Sequence, residues 1–170
     1  MVDIYSLWTN LIKGLNNKFT SYTYVKANQD GNVPDYPFAS INIVNPYIQD
    51  KDDIRGTITR QIVEGDDTKV QLTRTEEPKM VFSFDGYSDD LQQCLQLLKD
   101  TVEWITWTNQ RYLSSCGIVV LGCSKIADRT TFIEVDYQYH WGFDLTIRVS
   151  DSISMNVDSI GSVDVENKNK

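Results

Sequence analysis

His140 is the only histidine in a chain of 170 residues. A lone imidazole could act as a base or bind a metal, but zinc sites are built from several histidines or cysteines. On the polar side of an alternating segment, His140 reads as a solvated or hydrogen-bonded strand residue. Cys94, Cys116 and Cys123 could offer a nucleophile or metal ligands. None forms a C-x-x-C pair, and they read as small core residues. Asp50, Asp52 and Asp53 put oxygens at near-alternate positions, as a calcium loop does, but the glycine and the closing glutamate of that motif are missing. That stretch reads as a solvated charged loop. Gly117 to Gly122 holds no lysine and no phosphate-binding glycine pattern. Asp136 and Asp144 share one face of a strand but stand roughly 26 Å apart along it, too far for a working carboxylate pair. The expectation is therefore no catalytic, cofactor or metal site, and no enzyme.

The element that carries His140 and Asp144 is the strongest signal in the chain. From Val135 to Val149 every odd position is apolar or aromatic and every even one is polar or glycine. Period-two alternation predicts a strand with one buried and one wetter face. Fifteen residues would reach about 50 Å, which suggests a curved sheet or one continued into a neighbouring subunit. Gly142 interrupts the run, and glycine in a strand marks a bulge or a close backbone approach.

Ile4, Leu7, Trp8, Leu11, Ile12 and Leu15 have helical spacing, with Asp3 as the N-cap. Asp30-Gly31-Asn32 marks a turn, and Ala39 to Val44 a strand entered through Pro37. Thr57–Val63 and 69–75 predict a long hairpin joined by Glu64-Gly65-Asp66-Asp67, standing out from the core. A surface loop is the alternative. Lys79 to Asp85 predicts another strand. Ser88 would cap a second helix whose stripe is Leu91, Leu95, Leu98, Val102 and Ile105, with Cys94 beside it. This helix should fail near Thr106 to Asn109. Ser114-Ser115 reads as a loop, and Ile118 to Leu121 as a central strand, since it is apolar on both faces. Ile153, Met155 and Val157 form a weaker alternation. Trp104 and Trp107 do not both fit the helical stripe. Either they mark a contact surface or they fold back onto the sheet.

These elements make one α+β domain over 1–165: a mainly antiparallel sheet packed by two helices, with a protruding hairpin at 45–78 and a disordered tail at 166–170. The net charge of −8 is spread along the chain without a basic cluster. Gripping DNA needs clustered lysine and arginine, so DNA binding is not expected, while the charge is compatible with repelling DNA. No signal peptide or membrane span is evident, and the odd cysteine count favours synthesis in a reducing cytoplasm.

The order of elements, together with "PDYPFASINIV", "FSFDGYSDD" and "YQYHWGFDLTIRVSDSI", resembles phage neck or tail-terminator proteins over roughly 4–163. Gly142-Phe143-Asp144 matches the aromatic strand core of that group. His140-Trp141 stands where the resemblance would place a basic residue nearby. The resemblance implies a structural virion subunit made in the bacterial host. It would form a ring, a hexamer, at the head-proximal end of the tail, stopping tube polymerisation and meeting the neck or head-completion protein. Tail-tube protein, and sheath where there is one, would be the other partners, and DNA would pass through unbound. Asp50, Asp52, Asp53, Glu64, Asp66 and Asp67 are the candidates for the lumen or rim, and Trp104 and Trp107 for subunit contact. Another virion subunit, from a baseplate or head-completion complex, is the runner-up. A small-ligand enzyme or regulatory domain is the third reading.

Overall fold

The computed structural model describes residues 2–28, 31–49, 56–130 and 138–158. The architecture is α+β, as the hydrophobic periodicity predicts. Helix α1 (Ile4–Lys18) starts where Asp3 accepts a hydrogen bond from the Ser6 amide at 3.0 Å, so the expected cap is in place. Its Leu7, Leu11 and Leu15 are buried. Strand β1 (Thr23–Lys26) pairs in parallel with β2 (Phe38–Ile48), which is antiparallel to β5 (Lys79–Ser88).

Strand β8 (Tyr139–Arg148) lies against β5 with an unbroken register from Lys79↔Arg148 to Ser88↔Tyr139. Its odd residues Phe143, Leu145 and Ile147 are buried against Phe84, Phe82 and Met80, with the rings of Phe84 and Phe143 stacked at 4.9 Å. The predicted alternation therefore holds from Phe143 to Arg148, but the strand has 10 residues and leaves out Gln138 and Val149, so it is shorter than the run in the sequence suggests. Residues 135–137 of that prediction lie outside the described residues. Strands β6 (Val119–Cys123) and β7 (Ala127–Asp128) both pair with β8.

Four local expectations need correcting. Helix α2 (Leu91–Glu103) is capped by Asp90, whose side chain accepts from the Gln93 amide, while Ser88 ends β5. Its buried face runs through Cys94, Leu97, Leu98 and Thr101, leaving Leu91 exposed. Thr101 tolerates burial because its hydroxyl is shared with the Leu97 carbonyl (2.7 Å) and the Tyr24 hydroxyl (2.8 Å). At Trp104 the helix widens into a π-helical turn (Trp104–Thr108) and resumes as α3 (Gln110–Ser115), which takes in the serines expected to form a loop. Finally, β6 is an edge strand and not a central one, with Val119 and Leu121 exposed.

The helices cover one face of the main sheet and close a core around Leu11, Ile41, Phe82, Phe84, Leu98, Trp104 and Phe143. The opposite face has no helix on it among the described residues, and antiparallel sheets tolerate this when that face is polar. A second sheet, in the order β3-β4-β9, is formed by β3 (Thr57–Val63), β4 (Asp66–Glu76) and β9 (Asp151–Asp158). The predicted hairpin is real and has a third strand, supplied by the weak C-terminal alternation. No helix among the described residues is long and apolar enough to cross a membrane.

Candidate assembly surface

The three-stranded sheet, called the arm below, has two chemically opposite faces. Directly paired residues of antiparallel strands point to the same side. The register places Ile58, Arg74 and Ile153 in one row, Arg60, Leu72 and Met155 in the next, and Ile62, Val70 and Val157 in the third. The other side reads Thr57–Thr75–Ser152, Thr59–Thr73–Ser154 and Gln61–Gln71–Asn156. Hydroxyl pairs cross the strands there at 2.8 Å (Thr73, Ser154) and 3.0 Å (Thr75, Ser152). One face is thus aliphatic with two arginines, and its opposite is made of hydroxyls and amides.

The aliphatic face is uncovered. Ile62 is 70% exposed and Met155 60%, with Ile58 and Ile153 also more than half exposed. Scattered apolar residues on a surface need no explanation, but a contiguous patch on an arm whose two outer strands have no further partner among the described residues does. The arm is held at its base: Glu76 is buried, lies 3.0 Å from Arg74, and accepts a hydrogen bond from the Tyr47 hydroxyl at the end of β2. Arg74 is therefore neutralised within the arm. Arg60 is exposed and has no ion-pair partner among the described residues.

The predicted site residues separate under this geometry. Glu64 is exposed in the turn between β3 and β4, where Gly65 takes a φ of +84°. Asp66 begins β4 and pairs with Lys69 at 3.2 Å. Asp67 belongs to the same strand, and its side chain is outside the described residues, as are Asp50, Asp52 and Asp53 altogether. The two tryptophans part company. Trp104 folds back into the core, 2% exposed, over Gly14 of α1, where a β-carbon would come within 2.9 Å of the indole. Trp107 is 79% exposed.

A second cluster lies on the open face of the main sheet, and local spacing gave no sign of it. Arg129, just after β7, reaches across β8 to Asp85 (2.7 Å) and Asp144 (2.9 Å) and also donates to Ser83. His140 Nε2 is 3.0 Å from the same Asp85 oxygen. Gly142 sits directly opposite Asp85. It is in continuous register, so it serves a close approach and not a bulge. Burial works to raise the Asp85 pKa, but hydrogen bonds from His140 and Arg129 and the guanidinium charge outweigh it and hold the carboxyl below its ordinary value. Tyr36, Phe38, Tyr87 and His140 stack in a row beside this cluster, with successive ring centroids 5.7, 4.9 and 4.5 Å apart. Everything in the cluster is mutually satisfied, which describes a clasp that fixes the sheet.

Two thiols are pushed away from reactivity: burial raises Cys94, and raises Cys123 to about 11. No group of three or more metal-ligating side chains forms among the described residues. Against known proteins, a family model described as phage neck terminator protein matches residues 3–170. No curated protein matches the chain.

Proposed function

The chain belongs to the phage neck terminator family, and on that premise we propose that it closes into a ring, a hexamer, on the head-proximal end of the tail. A structural role in the neck or tail, as a component of the virion that meets other head or tail proteins, follows from the family itself. The finer reading is that the ring stops tail-tube polymerisation, seats on tube and sheath, and presents its outer end to the neck or head-completion protein. The observation that carries it is the arm, whose exposed aliphatic face and two outer strands, each without a further partner among the described residues, make a lone subunit incomplete. Ring closure covers such surfaces without leaving an end on which further copies could add.

Charge fits the same reading. With 24 acids against 16 bases, a conduit built from this chain repels phosphate at short range and lets DNA slide through without sticking. Glu64, Asp66 and Asp67 at the tip of the arm, with Asp50, Asp52 and Asp53 before it, are assigned to the lumen or rim. The test is the mass of the full chain in solution and its effect on tube assembly. A closed ring that caps growing tubes is expected. A protein that stays monomeric at high concentration, or a ring with a basic bore, would overturn the reading.

A further inference from the structure

We propose that Trp107 anchors the contact between neighbouring subunits, and that it is received by the aliphatic face of the arm of a second copy, with Arg60 of that arm against the indole and Glu103. This rests on the ring reading above and names the two surfaces that would close it.

The first ground is how Trp107 comes to be outside. At about 100° per residue the buried stripe of Cys94, Leu98, Thr101 and Ile105 has Trp104 at its edge, and Trp107, about 60° further round, falls outside it. The π-helical turn, in which the Asn109 amide bonds the Trp104 carbonyl at 3.2 Å, five residues back, carries Trp107 further from that stripe. Such turns are uncommon and recur at functional positions. Here the turn leaves the largest side-chain type 79% exposed while Trp104 and Ile105 beside it are buried.

The second ground is what the arm can accept. Two aliphatic faces packed on each other around a twofold axis would bring the two Arg60 guanidiniums into one layer without a carboxylate among the facing positions, because Arg74 is already held by Glu76 and the nine positions of that face include no acid. Removing those charges from water unpaired is prohibitive. The face must therefore meet a different surface of its neighbour, a head-to-tail contact of the kind that builds rings. That surface must offer apolar area and a negative charge. Trp107 supplies the first and Glu103, exposed and four residues before it, the second. Arg60 is the cation left free to meet them, by stacking on the indole and pairing with the carboxylate.

The third ground is position. Strand β5 leads into α2 through Asp89-Asp90, so the helix runs back along the sheet and its π-helical turn packs against β6. Val119 of β6 pairs with Arg148, the residue from which the chain leaves for β9. Trp107 and the base of the arm therefore lie towards the same end of the sheet. Rotation about a ring axis preserves height, so an arm whose β3 reaches about 23 Å can meet the corresponding shoulder of the next copy.

The experiment uses the full chain and four variants, Trp107→Ala, Arg60→Glu, Glu103→Arg and the double Arg60→Glu/Glu103→Arg, with mass by light scattering and a thermal melt for each. The expected result is a closed ring for the unaltered chain and at least tenfold weaker association for each single variant. The melt of the separated subunit should be unchanged, and the double variant should recover association. Rings as stable as the parent in Trp107→Ala and Arg60→Glu would overturn this contact and leave the ring standing. A parent chain that is itself monomeric would remove the ring and the contact together. A lowered melt for the Trp107→Ala subunit, or a double variant that stays dissociated, would also overturn the assignment.

Discussion

Arg129 Nη1 stands 2.7 Å from Asp85 Oδ1 in space that a side chain at position 142 would occupy. A β-carbon built on Gly142 would fall 2.6 Å from the Phe84 carbonyl oxygen, 2.7 Å from the Asp85 carboxylate and 2.8 Å from the Arg129 guanidinium. The two ions meet across the strand only because that position has no side chain. The glycine, the acid and the arginine therefore form one device, although they come from three elements.

Gly142→Ala should then destabilise the subunit by about 1–3 kcal/mol, the range for overfilling a packed site. Gly122 on the neighbouring strand β6 offers the control, since a β-carbon there meets nothing within 4 Å. Gly122→Ala should be close to neutral. Urea denaturation of both variants checks the contrast, and equal losses would refute the slot at 142.

The Asp85 carboxyl is held below its ordinary value, so the sign of its linkage is fixed. A carboxyl whose folded pKa is depressed adds stability that is complete above its unfolded value, near 4, and disappears as the pH falls through the folded value. Asp85→Asn should cost about 1–3 kcal/mol at neutral pH, because the guanidinium and the imidazole lose a shared charged acceptor. The same variant should be less sensitive to acid below about pH 4. Denaturation midpoints between pH 7 and pH 3 test both statements; parallel curves for parent and variant would show that Asp85 carries no linked proton.

Trp104 and Trp107 should respond to truncation in opposite ways. Trp104→Ala empties the space between α1, α2 and the sheet and should cost about 3–5 kcal/mol. Trp107→Ala removes a side chain that touches little of its own subunit and should change subunit stability by no more than about 0.5 kcal/mol. Calorimetry on separated subunits discriminates. Comparable losses would mean that Trp107 supports the fold from within.

The parts of this fold legible in the sequence are those set by local periodicity. The Asp3 cap and leucine stripe of α1, the two strands flanking Glu64-Gly65, and the alternation through Phe143, Leu145 and Ile147 all depend on neighbours within a few residues. What was not legible depends on distant partners. The buried face of α2 is turned towards Cys94 and Thr101 because Tyr24, far away in sequence, satisfies the threonine hydroxyl. Ile118 to Leu121 is apolar on both sides, which suggests a central strand, yet β6 lies at an edge with Val119 and Leu121 outward. Arg129 is separated from Asp85 by 44 residues, so no spacing rule could join them. Ile153, Met155 and Val157 were visible as an alternation, but their place beside Arg74, Leu72 and Val70 emerges only from the register. The opposition of the arm's two faces was hidden for the same reason. In the hairpin alone Arg60 and Arg74 interrupt the apolar positions, whereas with β9 added they punctuate a continuous aliphatic face.

That opposition yields a prediction separating folding from assembly. Ile62 and Met155 are largely exposed on the aliphatic face, while Thr73 and Ser154 share a hydroxyl contact on the polar one. Ile62→Glu and Met155→Glu place a charge where an isolated subunit meets water, so its stability should move by no more than about 0.5 kcal/mol. In an assembled particle the same charge would be buried without a partner, at a cost of several kcal/mol per site. Association should therefore fall by at least about a hundredfold, which is the ratio a penalty of about 2.8 kcal/mol produces. Thr73→Val on the opposite face breaks one exposed hydroxyl pair and should leave association nearly unchanged. Sedimentation velocity across a concentration series, with circular dichroism to verify the fold, reads all three variants. Loss of assembly in Thr73→Val with retention in Ile62→Glu would mean that the hydroxyl face makes the contact and the aliphatic face stays in water.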